Sequence, residues 1–135
     1  MVAAETEYNF QGEIEMKIAI TSKGDALESQ VDPRFGRAPY VLIVDSESNE
    51  FEPLNNLENV NRLKGAGIHA ATMISEKGAE VLMTGYCGPN AITTLNAAKI
   101  KVILEVGGTV KDALESFREG NLSFSDAPNV DGHWT

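Results

Sequence analysis

The chain has 135 residues, a net charge of −9, 42% hydrophobic and 23% charged residues, and one cysteine. That length supports a single domain with its own core, and no apolar run approaches the roughly 20 residues a membrane helix needs. The acidic excess excludes a nucleic-acid backbone as partner, because phosphate binding rests on clustered Lys and Arg; a lone cysteine excludes an internal disulfide and fits a reducing compartment, so a cytoplasmic protein is expected.

Residues 1–15 carry Glu5, Glu7, Glu13 and Glu15 and lack both the basic start and the apolar centre of a secretion signal. They are read as an extension outside the fold, which is expected over residues 16–120. Met16–Thr21 alternates as a strand, with Ile18 and Ile20 on one face. A polar loop follows to Pro39, punctuated by Gly24, Pro33 and Gly36. Tyr40–Asp45 is almost wholly apolar and β-branched, as a central strand covered on both faces would be. After a short turn, Glu50–Leu54 returns as a strand that Pro53 confines to an edge.

Asn55–Lys64 reads as polar connection. Gly65–Lys77 reads as a helix with the small buried stripe Gly67, Ala70, Ala71 and Ile74, closed by Gly78. Glu80–Met83 is the next strand. Pro89 then suits a first helical position, with Ala91, Leu95 and Ala98 as the expected stripe. Lys101–Glu105 is the last strand. Thr109 and Asp112 form a capping pattern ahead of a helix whose stripe is Val110, Ala113, Leu114 and Phe117, ended by Gly120. Residues 121–135 show no period and are read as a C-terminal tail.

The order β-β-β-α-β-α-β-α pairs the first three strands as an antiparallel meander and the later ones in parallel through helical crossovers. The expected architecture is α/β: one mixed five-stranded sheet, order 3-2-1-4-5, with helices on both faces. Its first, fourth and fifth strands share a direction, and ligands of open α/β sheets gather beyond the carboxyl ends of such strands. Three glycine-bearing loops leave those ends: Val31–Pro39, Thr84–Asn90 and Val106–Thr109.

In the second loop, Gly85 and Gly88 allow close backbone approach, Tyr86 and Asn90 flank it, and a helix N-terminus favours negative charge. Cys87 among those donors is either a small turn cysteine or a thiol of lowered pKa that meets a soft metal. Arg34 and Arg37 bracket Phe35 and Gly36. They offer planar, always-charged donor forks to an anion, or else pair with the surplus acids, while Phe35 reads as a packing anchor. Gly107, Gly108 and Thr109 either turn the chain or present a second helix N-terminus to the same edge.

His69 falls on a solvated helix face, and His133 lies in the tail. With Cys87 they do not make the roughly four-ligand set of a zinc site. Gly65–Ala70 matches G-x-G-x-x-A but follows polar connection rather than a strand, which argues against a dinucleotide fold. No Ser/His/Asp order and no paired carboxylates on the first and fourth strands suggest catalysis.

Met16–Thr21, Val31–Pro39, Thr84–Ala91, Gly107–Val110 and the ending Ala127–Trp134 together resemble the dinitrogenase iron–molybdenum cofactor biosynthesis family. The resemblance runs from Met16 to about Trp134. It implies a ribonuclease H-like α/β fold and a non-catalytic carrier of a metal–sulfur cluster or its precursor, of iron–molybdenum cofactor or molybdenum–copper sulfide type. Under it, Arg34, Phe35, Gly36, Arg37, Gly85, Tyr86, Cys87, Gly88, Asn90, Gly107, Gly108 and Thr109 would hold the anionic inorganic cluster, with Cys87 and His133 as candidate metal ligands. Many relatives place a histidine where this chain has Arg34, which leaves charge contact as that position's role. A nucleotide-driven iron–sulfur carrier ATPase or a cofactor-receiving protein is the implied partner. The alternative is a metal-free regulatory module that docks on such an ATPase.

Overall fold

A computed structural model describes residues 16–130, so the extension at 1–15 and His133 lie outside the described residues. Five strands form one sheet: β1 (Lys17–Ser22), β2 (Tyr40–Asp45), β3 (Phe51–Asn55), β4 (Val81–Met83) and β5 (Lys101–Ile103), in the order β3-β2-β1-β4-β5. β1 pairs antiparallel with β2 and parallel with β4, and β4 pairs parallel with β5. β3 is an edge, as Pro53 requires, and pairs antiparallel with β2.

Strand alternation sends apolar side chains to both faces. Ala19, Val41, Ile43, Leu82 and Val102 pack under α2 (Ala66–Glu76) and α3 (Pro89–Ala97). Ile18, Ile20, Leu42, Val44, Val81, Met83 and Ile103 pack under α4 (Val110–Arg118). Helices therefore cover both faces. The α2 stripe is Ala66, Gly67, Ala70, Ala71 and Ile74, all buried, and its small side chains allow close approach to the sheet. Gly65 and Gly78 bracket that helix with φ of 81° and 83°.

Two local expectations are corrected. The 55–64 connection contains a four-residue helix, α1 (Leu57–Val60). On α3, Ala98 is exposed and Ile92 is buried beside Ala91 and Leu95, because the helix ends at Ala97 and cannot carry the stripe further. On α4 the expected stripe holds, with Val110, Ala113 and Leu114 buried and half-buried Phe117 packed against the same core.

The α4 cap forms in both halves: the Asp112 amide donates to Thr109 Oγ1 at 3.0 Å and the Thr109 amide to Asp112 Oδ2 at 3.2 Å. Thr109→Ala is expected to cost about 1 kcal/mol, seen as a thermal midpoint lower by about 4 °C. The segment after Gly120 returns along β5. There the Ser125 amide donates to Val102 O at 2.7 Å, and Leu122 packs against the α4-side core.

Candidate functional site

Parallel pairing of β1, β4 and β5 brings their carboxyl ends to one edge, and the three loops are laced together there. The Val31 amide donates to Gly108 O at 2.9 Å. Tyr86 joins the first two loops from both sides of Arg34, accepting from Phe35 N–H at 3.2 Å through its carbonyl and donating its own amide to Pro33 O at 2.6 Å. Glu105 N–H to Gly85 O and Val106 N–H to Thr84 O join the second loop to the third. Beneath them lies a buried hydroxyl chain. Thr21 Oγ1 donates to Asp32 O at 2.6 Å, and with that single proton spent, the Thr84 hydroxyl donates to Thr21 Oγ1 at 2.8 Å.

This lacing consumes many of the amides that the sequence offered to a ligand. At α4 the first-turn groups are all engaged: Val110 N–H donates to Ser29 O, Lys111 N–H to Leu27 O, and Thr109 and Asp112 cap one another. Thr109 thus closes its helix rather than opening it to an anion, which corrects the expected donor set. No side chain closes the α3 N-terminus at Gly88, so the helix-end field there remains directed at the edge.

Among the candidate residues, Arg34, Tyr86, Asn90, Gly107 and Gly108 are exposed, whereas Phe35, Gly36, Gly85, Cys87 and Gly88 are buried. Arg34 is clamped by Asp32, itself only 2% exposed. Asp32 Oδ1 accepts the Arg34 amide at 2.9 Å and Nε at 3.2 Å, and Oδ2 accepts Nη2 at 3.2 Å. That hydrogen bond and the adjacent charge push the guanidinium pKa upward. Two of five N–H donors go to Asp32, and the rest of the half-exposed fork remains for a ligand. The pair is neutral overall, so Arg34 offers directed donors rather than surplus charge.

Arg37 is placed elsewhere. Its Nη1 donates to Val60 O at 2.8 Å and Arg62 O at 2.5 Å, spending the charge on the end of α1 instead of on a shared pocket. Phe35, 2% exposed, is a core anchor and presents no ring to a ligand.

Of the two readings open for Cys87, the small buried turn cysteine is the one the structure supports. The side chain is 1% exposed within the α2/α3 core, and burial pushes its thiol up to about 12 from 9.0. Desolvation outweighs the helix terminus, so the thiol is neutral and makes no surface contact in this arrangement. Between pH 9 and about 12 the unfolded chain holds fewer protons than the folded one. Stability attributable to this group is therefore complete below pH 9 and declines as pH rises, by at most about 1.4 kcal/mol per pH unit. The urea midpoint of the native protein is expected to fall more steeply from pH 9 to 11 than that of Cys87→Ala.

One residue outside the three loops completes the edge. Asn129 accepts the Cys87 amide through Oδ1 at 2.8 Å, donates Nδ2 to Gly85 O at 2.9 Å, and donates its own amide to Cys87 O at 3.1 Å. Its segment has no period to betray it; the only sequence signal was the Ala127-Pro-Asn-Val ending. Among the described residues, no three His, Cys, Asp or Glu side chains stand close enough to share a metal ion. No described helix is long and apolar enough to cross a membrane.

Residues 16–120 match the family model described as dinitrogenase iron-molybdenum cofactor. The chain belongs to that family. Its fold is similar to the apo form of the orange protein from Desulfovibrio gigas, with TM-score 0.83 and 39% identity, covering 88% of this chain and 100% of that one. A putative NifB protein from Thermotoga is similar at TM-score 0.71 and 38% identity, over 81% of this chain and 92% of that one. An uncharacterized protein of Methanocaldococcus jannaschii is 28% identical over 109 residues, 79% of this chain and 89% of that protein.

Proposed function

We propose that this family member is a non-catalytic carrier of an anionic metal–sulfur cluster or its precursor, held at the edge where the three loops meet. The observation that carries the reading is the Arg34 fork, preset by buried Asp32 and bonded through its loop to the Tyr86 loop. An outward guanidinium with fixed geometry suits sulfido or oxo groups, which accept several directed hydrogen bonds. The field of the α3 N-terminus and the exposed Gly107–Gly108 backbone favour an anion without adding acid–base chemistry. Such a set holds a preformed anion and turns nothing over. Membership of the cofactor family and likeness to the orange protein support an inorganic cluster as the cargo.

The test is anaerobic reconstitution of the full chain with tetrathiomolybdate and Cu(I), and separately with ferrous iron and sulfide, followed by visible spectra and metal analysis. A coloured protein of defined stoichiometry is expected in one of the two. Arg34→Ala should weaken retention about tenfold, the scale of a lost charge-assisted hydrogen bond. Absence of colour and metal in both reconstitutions would overturn the reading.

A second reading, a metal-free module docking on an iron–sulfur carrier ATPase or a cofactor-receiving protein, is favoured by the 57–68 surface. Leu63 is 99% exposed, Leu57 50% and Ile68 40%, beside exposed Arg62 and Lys64. A colourless protein that binds a purified ATPase of that class, and loses it on Leu63→Asp, would select this reading.

A further inference from the structure

The segment 121–130 touches the domain at few points. Asn121, Ser123, Phe124 and Asp126 to Asn129 are exposed, and only Leu122, Ser125 and Val130 are partly covered. Two cavities separate the segment from the rest of the fold. One of about 420 Å³ opens between Phe124–Asp126 and the Asn96–Val102 stretch. The other, about 390 Å³, opens between 121–129 and Ile103–Glu105. Two fastenings dominate, the Ser125 amide on Val102 O and Asn129 on the second loop, with lesser support from Asn96 Nδ2 on Asp126 O at 3.4 Å, Lys101 over the Phe124 ring and Leu122 against the α4-side core.

The second fastening is concentrated on one residue of the loop. Both backbone polar groups of Cys87 are bonded to Asn129, and Gly85 O is held by the same side chain. With its amide and carbonyl both fixed, the Cys87 backbone keeps its Cβ aimed into the α2/α3 core, and moving the thiol to the surface requires that backbone to shift. A strap with little apolar burial is the kind of unit that opens at low free energy while the sheet stays folded.

We propose that residues 121–130 are a latch, fastened by Asn129, which keeps the Cys87 thiol sealed inside the domain and whose release alone makes that thiol accessible. The latch stands on the geometry. Its use, to bring a soft sulfur ligand to the cluster edge only when the strap is lifted, rests on the carrier reading above. A carrier built this way keeps its thiol from stray metals and oxidants until the strap is displaced.

The experiment measures the alkylation rate of Cys87 by iodoacetamide in the metal-free full chain, at pH 8.5 and in native buffer. The wild-type thiol should react slowly. Asn129→Ala should raise the rate about tenfold or more, because two of the three loop-to-strap bonds are lost and only the backbone amide bond to Cys87 O remains. Ser125→Pro, which removes the amide donor to Val102 without touching the loop, should also raise it. His69→Ala, exposed on α2, should leave it unchanged. Urea unfolding of each variant separates latch opening from global unfolding: a raised rate with a near-native midpoint supports the latch. A rate in Asn129→Ala equal to wild type, or one that rises only in proportion to lost global stability, overturns it. No metal enters this measurement, so a failed reconstitution leaves it standing. Conversely, an unchanged rate alongside intact Arg34-dependent colour would remove the latch and keep the carrier.

Discussion

Phe35→Ala is expected to cost about 3–5 kcal/mol of unfolding free energy, the range for an aromatic removed from a packed core. The ring is 2% exposed and sits in the same cluster as Ala70, Ala71, Ile74, Cys87 and Leu95. It pins the first loop to the domain while the loop's backbone pins Tyr86, so its loss creates a cavity and loosens the site together. Urea denaturation should show the effect, and Phe35→Leu should recover most of it. Arg34→Ala, one residue away and half-exposed, leaves the buried Asp32 carboxylate with only a backbone amide as partner and should cost about 1–3 kcal/mol, less than Phe35→Ala. A cost below about 1 kcal/mol for Phe35→Ala would mean that the ring does not anchor the loop.

Gly36→Ala is expected to be nearly as damaging, at about 2–5 kcal/mol, through two separable causes. Gly36 has φ of 93°, where a side chain costs about 1–2 kcal/mol. An added Cβ would also lie 2.8 Å from Gly67 N and 2.9 Å from Ala66 C, which are backbone atoms at the start of α2 that cannot swing aside. Overpacking of that kind adds about 1–3 kcal/mol. Gly85→Ala isolates the second cause. Its φ is ordinary, but a Cβ would stand 2.7 Å from Pro33 Cα and 2.8 Å from Pro33 O, prising the first loop from the second. Faster hydrogen exchange at the Tyr86 amide should report that separation. Gly107→Ala, where a Cβ meets nothing within 4 Å, should stay within about 0.5 kcal/mol of wild type. If Gly85→Ala were as mild as Gly107→Ala, the close approach of the two loops would be wrong.

The sheet was legible in the sequence because its signals are local and strong. Tyr40–Asp45 is too apolar for anything but a covered strand, Pro53 marks an edge, and Gly78, Pro89 and Gly120 punctuate the helices where the structure ends or begins them. From these, the rules for connections leave few sheet orders, and 3-2-1-4-5 is the one the chain adopts. Helix α1 was not legible, since four residues cannot display a 3.6-residue period.

Bonding at the site was harder to read than its location. That the three loops share an edge follows from strand direction alone. Which amides remain for a ligand depends on contacts between residues far apart in the chain, such as Lys111 with Leu27 and Cys87 with Asn129. The same holds for charge. Arg34 and Arg37 look equivalent in sequence, yet one faces a buried carboxylate and solvent while the other holds the end of a short helix. The choice between the two readings of the cysteine was not legible for a related reason. Proximity to a helix start is visible in sequence, whereas the core that desolvates the thiol is assembled from α2, α3 and the first loop.

The seam between Val31 and Gly108, extended by the pairing of Gln30 with Thr109, has a consequence for biosynthesis. The first loop takes its shape from residues translated near the end of the chain, so a ribosome-bound intermediate that stops before α4 has no finished cradle. Closure of the three-loop edge is therefore completed only after α4 has been made, and a product truncated before the last helix would lack the seam that holds the first loop to the third.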